Sequence, residues 1–213
     1  MKPLRYILLI SLLQLASIAN AQDFKVIKDT TDYILKEVEK LSLDSLITLK
    51  DQLFSANRYD STKKVNYESL ILICNQIKKI NRKAAKEEHV DYFLSYSYYR
   101  IKQYDKAIEY SKIYRKVPAK YTELEGTDRV SYNIHLCYYL CEIYKERHDT
   151  LTAVKYLLEI EKHWLYLRHY ICIRGWDDIK LYKEILELYT VLNDKKGVAK
   201  YQEKIKTLED KRK

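Results

Sequence analysis

From about residue 31 onward, apolar side chains recur every three or four positions, with charged side chains between them. This spacing places the apolar residues on one side of an α-helix, and no segment alternates as a half-buried strand does. Residues that break helices are rare, since the whole chain has three Gly and two Pro. The pattern therefore predicts an all-α fold. The expected helices span about 31–41, 43–57, 64–82, 84–101, 104–117, 128–147, 150–168, 178–192 and 195–211.

Short polar residues mark several expected helix starts, because their side-chain oxygens accept hydrogen bonds from the free N–H groups there. Asp149 or Thr150 is expected to cap one helix, and Asp177 or Asp178 another. The sequence Gly126-Thr127-Asp128 is expected to end one segment and to cap the next.

Three stretches carry the same side-chain pattern in the same register. The copies are Leu94-Ser95-x-x-Tyr98 with Ala107 and Tyr110, Leu140-Cys141-x-x-Tyr144 with Ala153 and Tyr156, and Ile185-Leu186-x-x-Tyr189 with Val198 and Tyr201. They are separated by 46 residues (98 to 144) and 45 residues (144 to 189). A fixed period of this length is typical of stacked helical hairpins, whose extended surfaces bind other proteins.

These offsets resemble the tetratricopeptide repeat (TPR), whose first helix carries a large apolar residue, a small residue and Tyr. The second helix of that repeat carries a small residue, usually Ala. The stretch from Leu94 to Pro118 looks like one full unit, whereas the third copy has Leu186 and Val198 where small residues are expected. The usual period is about 34 residues, so about eleven extra residues separate the copies and either lengthen helices or form loops. These are 119–127 and about 164–175.

The resemblance covers about residues 89–211 and implies stacked antiparallel hairpins in a right-handed superhelix. We accordingly divide the chain into a signal peptide (1–21), an N-terminal helical part (22–85) and three hairpins (86–213). The N-terminal part is either a degenerate repeat or a cap, and the polar C-terminal tail suits the end of a stack.

The resemblance also implies a concave groove lined by the first helix of each hairpin. The implied groove residues are His89, Tyr92, Tyr96, Tyr99 and Arg100, then His135, Tyr138, Glu142 and Lys145, then Lys180, Lys183 and Glu187. Aromatic and basic side chains dominate, and such a surface suits a protein or peptide with acidic and apolar residues. The alternative is that many of these tyrosines fill space between neighbouring hairpins.

Some family members hold a chaperone's terminal carboxylate with a Lys/Asn pattern. Here Tyr96, Glu142 and Glu187 occupy the position where that pattern needs Asn. We therefore do not predict that ligand.

The N-terminus has the pattern of a secretory signal. Lys2 and Arg5 precede a nearly apolar run over 6–15, and Ala19-Asn20-Ala21 forms a cleavage site. We expect cleavage after Ala21 and a periplasmic or secreted product. The alternative is a membrane anchor, for which the apolar run is short, and no later segment is apolar enough to span a bilayer.

The chain is moderately basic, but the distribution of its charges argues against a nucleic-acid ligand. The chain has 39 basic and 30 acidic residues, and removal of the signal leaves 37 against 30, a net charge of +7. The Lys residues are interspersed with Glu along the helices, which is typical of solvated helix faces.

Four cysteines remain, Cys74, Cys137, Cys141 and Cys172. Export permits disulfides, but their pairing cannot be read from sequence. Cys137 and Cys141 lie one helical turn apart, which fits disulfide geometry poorly. His135 would point almost opposite to them, so we do not predict a zinc site. We predict instead that both cysteines are buried structural thiols.

Two further sets invite a chemical interpretation. His163, His169 and Cys172 form a weak metal candidate, and Trp164 with Trp176 forms either a sugar or peptide platform or part of the core. No nucleophile elbow or glycine-rich phosphate loop is present.

We predict a protein-binding scaffold that is not an enzyme and has no cofactor or metal. The alternatives are an envelope sensory or regulatory module that docks onto a separate membrane receptor, and a glycan-binding protein or enzyme.

Overall fold

The structure is a computed structural model that describes residues 36–59, 67–116, 124–170 and 178–211. Every regular element in these ranges is an α-helix, which confirms the all-α fold class. The helices are α1 (Leu43–Tyr59), α2 (Tyr67–Ile80), α3 (Arg82–Glu87), α4 (Val90–Arg100), α5 (Tyr104–Arg115), α6 (Leu124–Glu146), α7 (Thr150–Tyr170), α8 (Asp178–Val191) and α9 (Lys195–Asp210). The predicted signal peptide lies outside the described residues, as do residues 31–35 of the predicted first helix, whereas 36–39 are helical as predicted.

Two predicted helix boundaries are wrong. The expected helix over 84–101 is divided into α3 and α4 by a turn at His89, whose φ is 52°. The helix expected from 128 begins at Leu124, so Gly126 lies in its first turn. Gly destabilises a helix most in its middle, where its backbone entropy is lost, whereas Gly126 lies at the end of this helix. Helix α7 continues to Tyr170, so the extra residues from 164 to 170 lengthen a helix.

The chain forms two compact units, of which the first ends at Tyr114 and the second begins at Arg115. In the first unit, α2 packs against both α1 and α4. Helix α2 can do so because apolar residues surround most of it, including the fully buried Leu70, Ile73 and Ile77.

In the second unit, α6 packs against α7, α7 also packs against α8, and α8 packs against α9. The core of this unit combines residues from all four helices, among them Cys141, Ile160, Ile185 and Tyr201. Each described helix of this unit therefore packs against its neighbour in sequence.

The repeated tyrosines contact each other in all three hairpins. In each case the Tyr of the first helix stacks on the Tyr of the second, with planes within 28° of parallel. Ring centroids are 5.5 Å apart for Tyr98–Tyr110, 5.6 Å for Tyr144–Tyr156 and 5.8 Å for Tyr189–Tyr201. The sequence period thus corresponds to a repeated packing contact.

The turn inside each hairpin is also repeated. The carbonyl of each first-helix Tyr accepts a bond from the N–H five residues later, at 2.9, 2.9 and 3.0 Å. The residue before that N–H is left-handed, namely Lys102 (φ 61°), His148 (φ 59°) and Asn193 (φ 55°). This is the Schellman helix end, which usually has Gly at the left-handed position. The next helix then begins at an Asp cap in two copies, Asp149 and Asp194.

The close approach of the two helices depends on a small residue. Ala107 and Ala153 are fully buried, and the Ser95 hydroxyl donates to the Ala107 carbonyl at 2.6 Å. In the third copy the small residue is Gly197, one position before Val198. A Cβ at Gly197 would lie 2.5 Å from the Tyr189 ring.

Candidate protein-binding surface

The predicted groove residues of the first hairpin divide between core and surface. Tyr92 is 1% exposed and packs edge-on against Phe93 at 5.2 Å, so it belongs to the core, as the space-filling alternative expects. His89 is half-buried, and its Nδ1 lies 3.1 Å from the Tyr114 hydroxyl. Tyr96 and Tyr99 are half-buried, and Arg100 is exposed.

Four residues of the first unit form what we call the tyrosine–arginine cluster: Phe54, Tyr67, Tyr96 and Arg100. The Arg100 guanidinium lies 5.0 Å from the Tyr67 ring centre and 5.7 Å from that of Tyr96. Its Nη1 donates to the Tyr96 hydroxyl at 2.9 Å. The Tyr96 ring meets Tyr67 edge-on at 5.9 Å and Phe54 at 6.0 Å. Tyr67 and Tyr96 therefore hold the cation of Arg100 in place, and Phe54 packs against Tyr96.

Arg100 carries the positive charge of this cluster. Burial, reinforced by nearby Tyr96 and opposed by Arg100, raises the pKa of Tyr67 to about 12. The Tyr67 hydroxyl therefore stays neutral at physiological pH. Across the described ranges, the partners of Arg100 are tyrosines, and no carboxylate forms an ion pair with it.

The implied groove residues of the second hairpin include a charge pair. Lys145 donates to Glu142 at 2.9 Å along α6, and this hydrogen bond raises the pKa of Lys145. Tyr138 is half-buried, and burial, reinforced by Glu184, raises its pKa to about 12. His135 is exposed on the opposite side from the buried Cys137.

The residues of the third hairpin continue this mixed charge. Lys180, Lys183 and Glu187 are exposed, and Lys183 lies 3.8 Å from Glu209. Sequence reasoning missed the half-buried Glu184, because it lies outside the implied groove positions. Burial raises the pKa of Glu184, nearby Lys145 and Lys180 oppose this, and Glu142 and Glu187 add to it. In this unit, Lys145, Lys180 and Lys183 therefore all have carboxylates nearby.

The described cysteines are buried, and their thiols stay protonated. Cys74, Cys137 and Cys141 are buried free thiols. Desolvation raises the pKa of each to about 12, so the reactive thiolate is suppressed. Cys172 lies outside the described residues.

The metal and platform candidates gain no support where they can be described. Among the placed residues, no group of three His, Cys, Asp or Glu side chains is arranged to hold a metal ion. His163 is buried and lies 3.6 Å from Glu159. Trp164 is also buried, and its Nε1 donates to Asp178, so it packs in the core. Cys172 and Trp176 lie outside the described part of the chain.

No helix in the described ranges is both long enough and apolar enough to cross a membrane. No protein-family model, curated protein or solved structure matches the chain. Membership of the tetratricopeptide family therefore stays a prediction.

Proposed function

We propose that this chain is an exported, TPR-like scaffold that binds a protein or peptide through the first helices of its hairpins. The observation that carries the proposal is the tyrosine–arginine cluster, formed by α1, α2 and α4, which presents aromatic surface beside a cation without a carboxylate partner in the described residues. Aromatic residues and Arg are the residue types that contribute most to protein–protein binding.

The repeat geometry supports the scaffold part of the proposal. All three hairpins share the stacked tyrosine pair and the left-handed turn, as repeated structural units do. The right-handed superhelix belongs to this proposal as well. Within the second unit, α7 packs against α6 and α8, as successive hairpins of a stack would.

A second contact between the hairpins of this unit agrees with stacking. Glu161 on α7 is 8% exposed and accepts a hydrogen bond from the Tyr201 hydroxyl on α9 at 2.6 Å. Lys204, also on α9, pairs with the other oxygen of the same carboxylate. The second helices of the last two hairpins are therefore joined directly.

The test is an affinity pull-down from cell-envelope extract with the mature chain, residues 22–213, as bait. It is compared with a Tyr96→Ala/Tyr99→Ala/Arg100→Ala variant, called the cluster variant, which also removes the half-buried Tyr99 next to Arg100 on α4. The matched control is Lys112→Ala/Lys196→Ala, which removes two exposed charges from α5 and α9. Circular dichroism must report the same helix content for all three proteins.

A protein retained by the wild type and the control, but lost by the cluster variant, is the expected result. A set of captured proteins that is the same for all three baits would contradict binding through α4.

A further inference from the structure

The geometry of the tyrosine–arginine cluster indicates which chemical group of a partner it binds. Arg100 lies at the exposed end of α4, and its planar guanidinium is in contact with Tyr67 and Tyr96. Because one nitrogen already donates to Tyr96, the side chain is restricted to one region of space. A preorganised guanidinium loses less entropy when it binds an oxyanion than a freely rotating one does.

The charge of Arg100 is not neutralised by the residues around it. Its interactions within the described residues are with Tyr96, Tyr67 and Tyr99. Tyrosine hydroxyls are neutral at physiological pH, and burial raises the pKa of Tyr67 to about 12. An Arg fork whose neighbours are neutral has N–H donors available for a carboxylate.

The surroundings of Arg100 favour a peptide over a lipid surface. Binding to anionic lipids needs several cations spread over one face. Here the cation contacts the half-buried rings of Tyr67 and Tyr96, and the half-buried Phe54 ring packs against Tyr96. Such rings offer contact area to apolar side chains next to an acidic residue.

We infer that Arg100 binds an Asp or Glu side chain of the partner, and that apolar or aromatic residues beside that acid contact Phe54, Tyr67 and Tyr96. This inference rests on the proposed function, since it names the chemistry of the same binding surface. The partner is accordingly an acidic peptide segment with apolar residues next to its carboxylates.

The first experiment is selection from a random-sequence peptide display library on the mature chain. Selected peptides are expected to be enriched in Asp or Glu next to apolar or aromatic residues. Selection on Arg100→Gln should lose the acidic enrichment and keep the apolar one. Selected sequences without acidic enrichment on the wild type would overturn the inference.

The second experiment measures the affinity of one selected peptide for variants of the protein. Arg100→Gln should weaken binding by about 10-fold to 100-fold, as the loss of a charge-assisted bidentate contact does. Arg100→Lys should restore only part of the lost affinity, because an ammonium group neither stacks on an aromatic ring nor forms two parallel hydrogen bonds to a carboxylate. Lys112→Gln, which removes an exposed cation of α5, is the matched control and should leave affinity unchanged.

The ligand side of the contact is tested in the same titration. Replacing the peptide's acidic residue by Gln should weaken binding to the wild type and have no further effect on Arg100→Gln. Additive losses would overturn the contact between the two groups. Binding of the protein to phosphatidylglycerol vesicles that requires Arg100, with no peptide binding, would assign the cation to a membrane surface and overturn the inference.

The two proposals fail in different ways. If the pull-down partner is lost with the cluster variant but kept by Arg100→Gln, the scaffold proposal stands and the acidic ligand is wrong. If neither the pull-down nor the display selection depends on Tyr96 and Arg100, both are wrong.

Discussion

The first hairpin (α4–α5) and the last (α8–α9) share their internal packing and differ in what surrounds it. Both stack a pair of repeat tyrosines and turn through a left-handed residue. At Tyr110 of the first hairpin the ring contacts Lys78, whose Nζ lies 4.9 Å from its centre. At the equivalent Tyr201 the ring is fully buried and the hydroxyl donates to Glu161. The shared contacts are those that a hairpin needs, and the residues around them are free to differ.

The largest expected effect separates these two tyrosines. Tyr201→Phe leaves the buried Glu161 carboxylate without one of its two partners, and we expect it to cost about 1.5–3 kcal/mol of unfolding free energy. Tyr110→Phe should cost less than about 0.5 kcal/mol, because the Tyr110 hydroxyl has no hydrogen bond in the described residues and lies on a half-buried ring. Urea unfolding of the mature chain, followed by circular dichroism, measures both.

Equal costs for the two substitutions would contradict the difference in burial. If the two units unfold in separate transitions, Tyr201→Phe should shift only the transition of the second unit. The double variant Tyr201→Phe/Glu161→Gln should recover part of the lost unfolding free energy. A buried neutral amide that lacks a hydrogen-bond partner destabilises the fold less than a buried carboxylate does.

The next effect concerns the residue eight positions after the first-helix tyrosine. In the last hairpin this is Gly197, directly beneath the Tyr189 ring, and in the first it is Lys106, whose Nζ lies 5.1 Å above the Tyr98 ring. Gly197→Ala forces the Tyr189 ring away from Tyr201, and we expect a loss of about 1–2 kcal/mol despite the better helix propensity of Ala. Lys106→Ala removes only a surface cation–π contact and should cost less than about 1 kcal/mol.

Thermal unfolding distinguishes a steric cause from a backbone cause at Gly197. In a Tyr189→Leu background the ring is absent, so Gly197→Ala should become neutral or stabilising. If Gly197→Ala costs the same in both backgrounds, the contact with Tyr189 is not the reason.

The sequence pattern predicted the shared part of the two hairpins and missed much of what differs. Apolar spacing located the helices, and the register of Tyr98 and Tyr110 corresponds to a real contact. Register alone assigned the small-residue position to Val198, whereas the helix approach occurs at Gly197. The sequence pattern did not predict the left-handed turns, because Lys102 and His148 occupy the position where Gly usually marks such a turn.

The candidate site was predicted only in part, for a similar reason. The repeat register included Tyr96 and Arg100 but not Tyr67, which comes from α2, outside the stretch that resembles the repeat. The register also placed Tyr92 on the surface, although Phe54 of α1 and Tyr114 of α5 pack against it and it is buried. Contacts between residues distant in sequence decide both cases, and a local pattern does not encode them.

A smaller effect tests the left-handed turns. Lys102→Gly should stabilise the first hairpin by about 0.5–1 kcal/mol, because Gly adopts positive φ without a steric penalty. Asn193→Gly should gain less in the last hairpin, since Asn tolerates this conformation better than Lys does. Urea midpoints of the two variants measure the difference, and a loss of stability in Lys102→Gly would mean that the turn is not left-handed.

The smallest effect comes from the position five residues before the repeat tyrosine, which is the buried Phe93 in the first hairpin and Glu184 in the last. Burial raises the pKa of Glu184 above its ordinary value of 4.5, despite nearby Lys145 and Lys180. A raised carboxyl pKa means that the contribution of Glu184 to stability is fully present below about pH 4.5 and is lost as the pH rises through the folded-state pKa. Glu184→Gln should therefore stabilise the protein at pH 7, by no more than about 0.5 kcal/mol, and change little at acidic pH.

Urea unfolding at both pH values checks this, with Glu203→Gln on the exposed side of α9 as the control. If Glu184→Gln is destabilising at pH 7, Lys145 and Lys180 outweigh burial, and the carboxylate of the last hairpin is a favourable counterpart to the cations beside it.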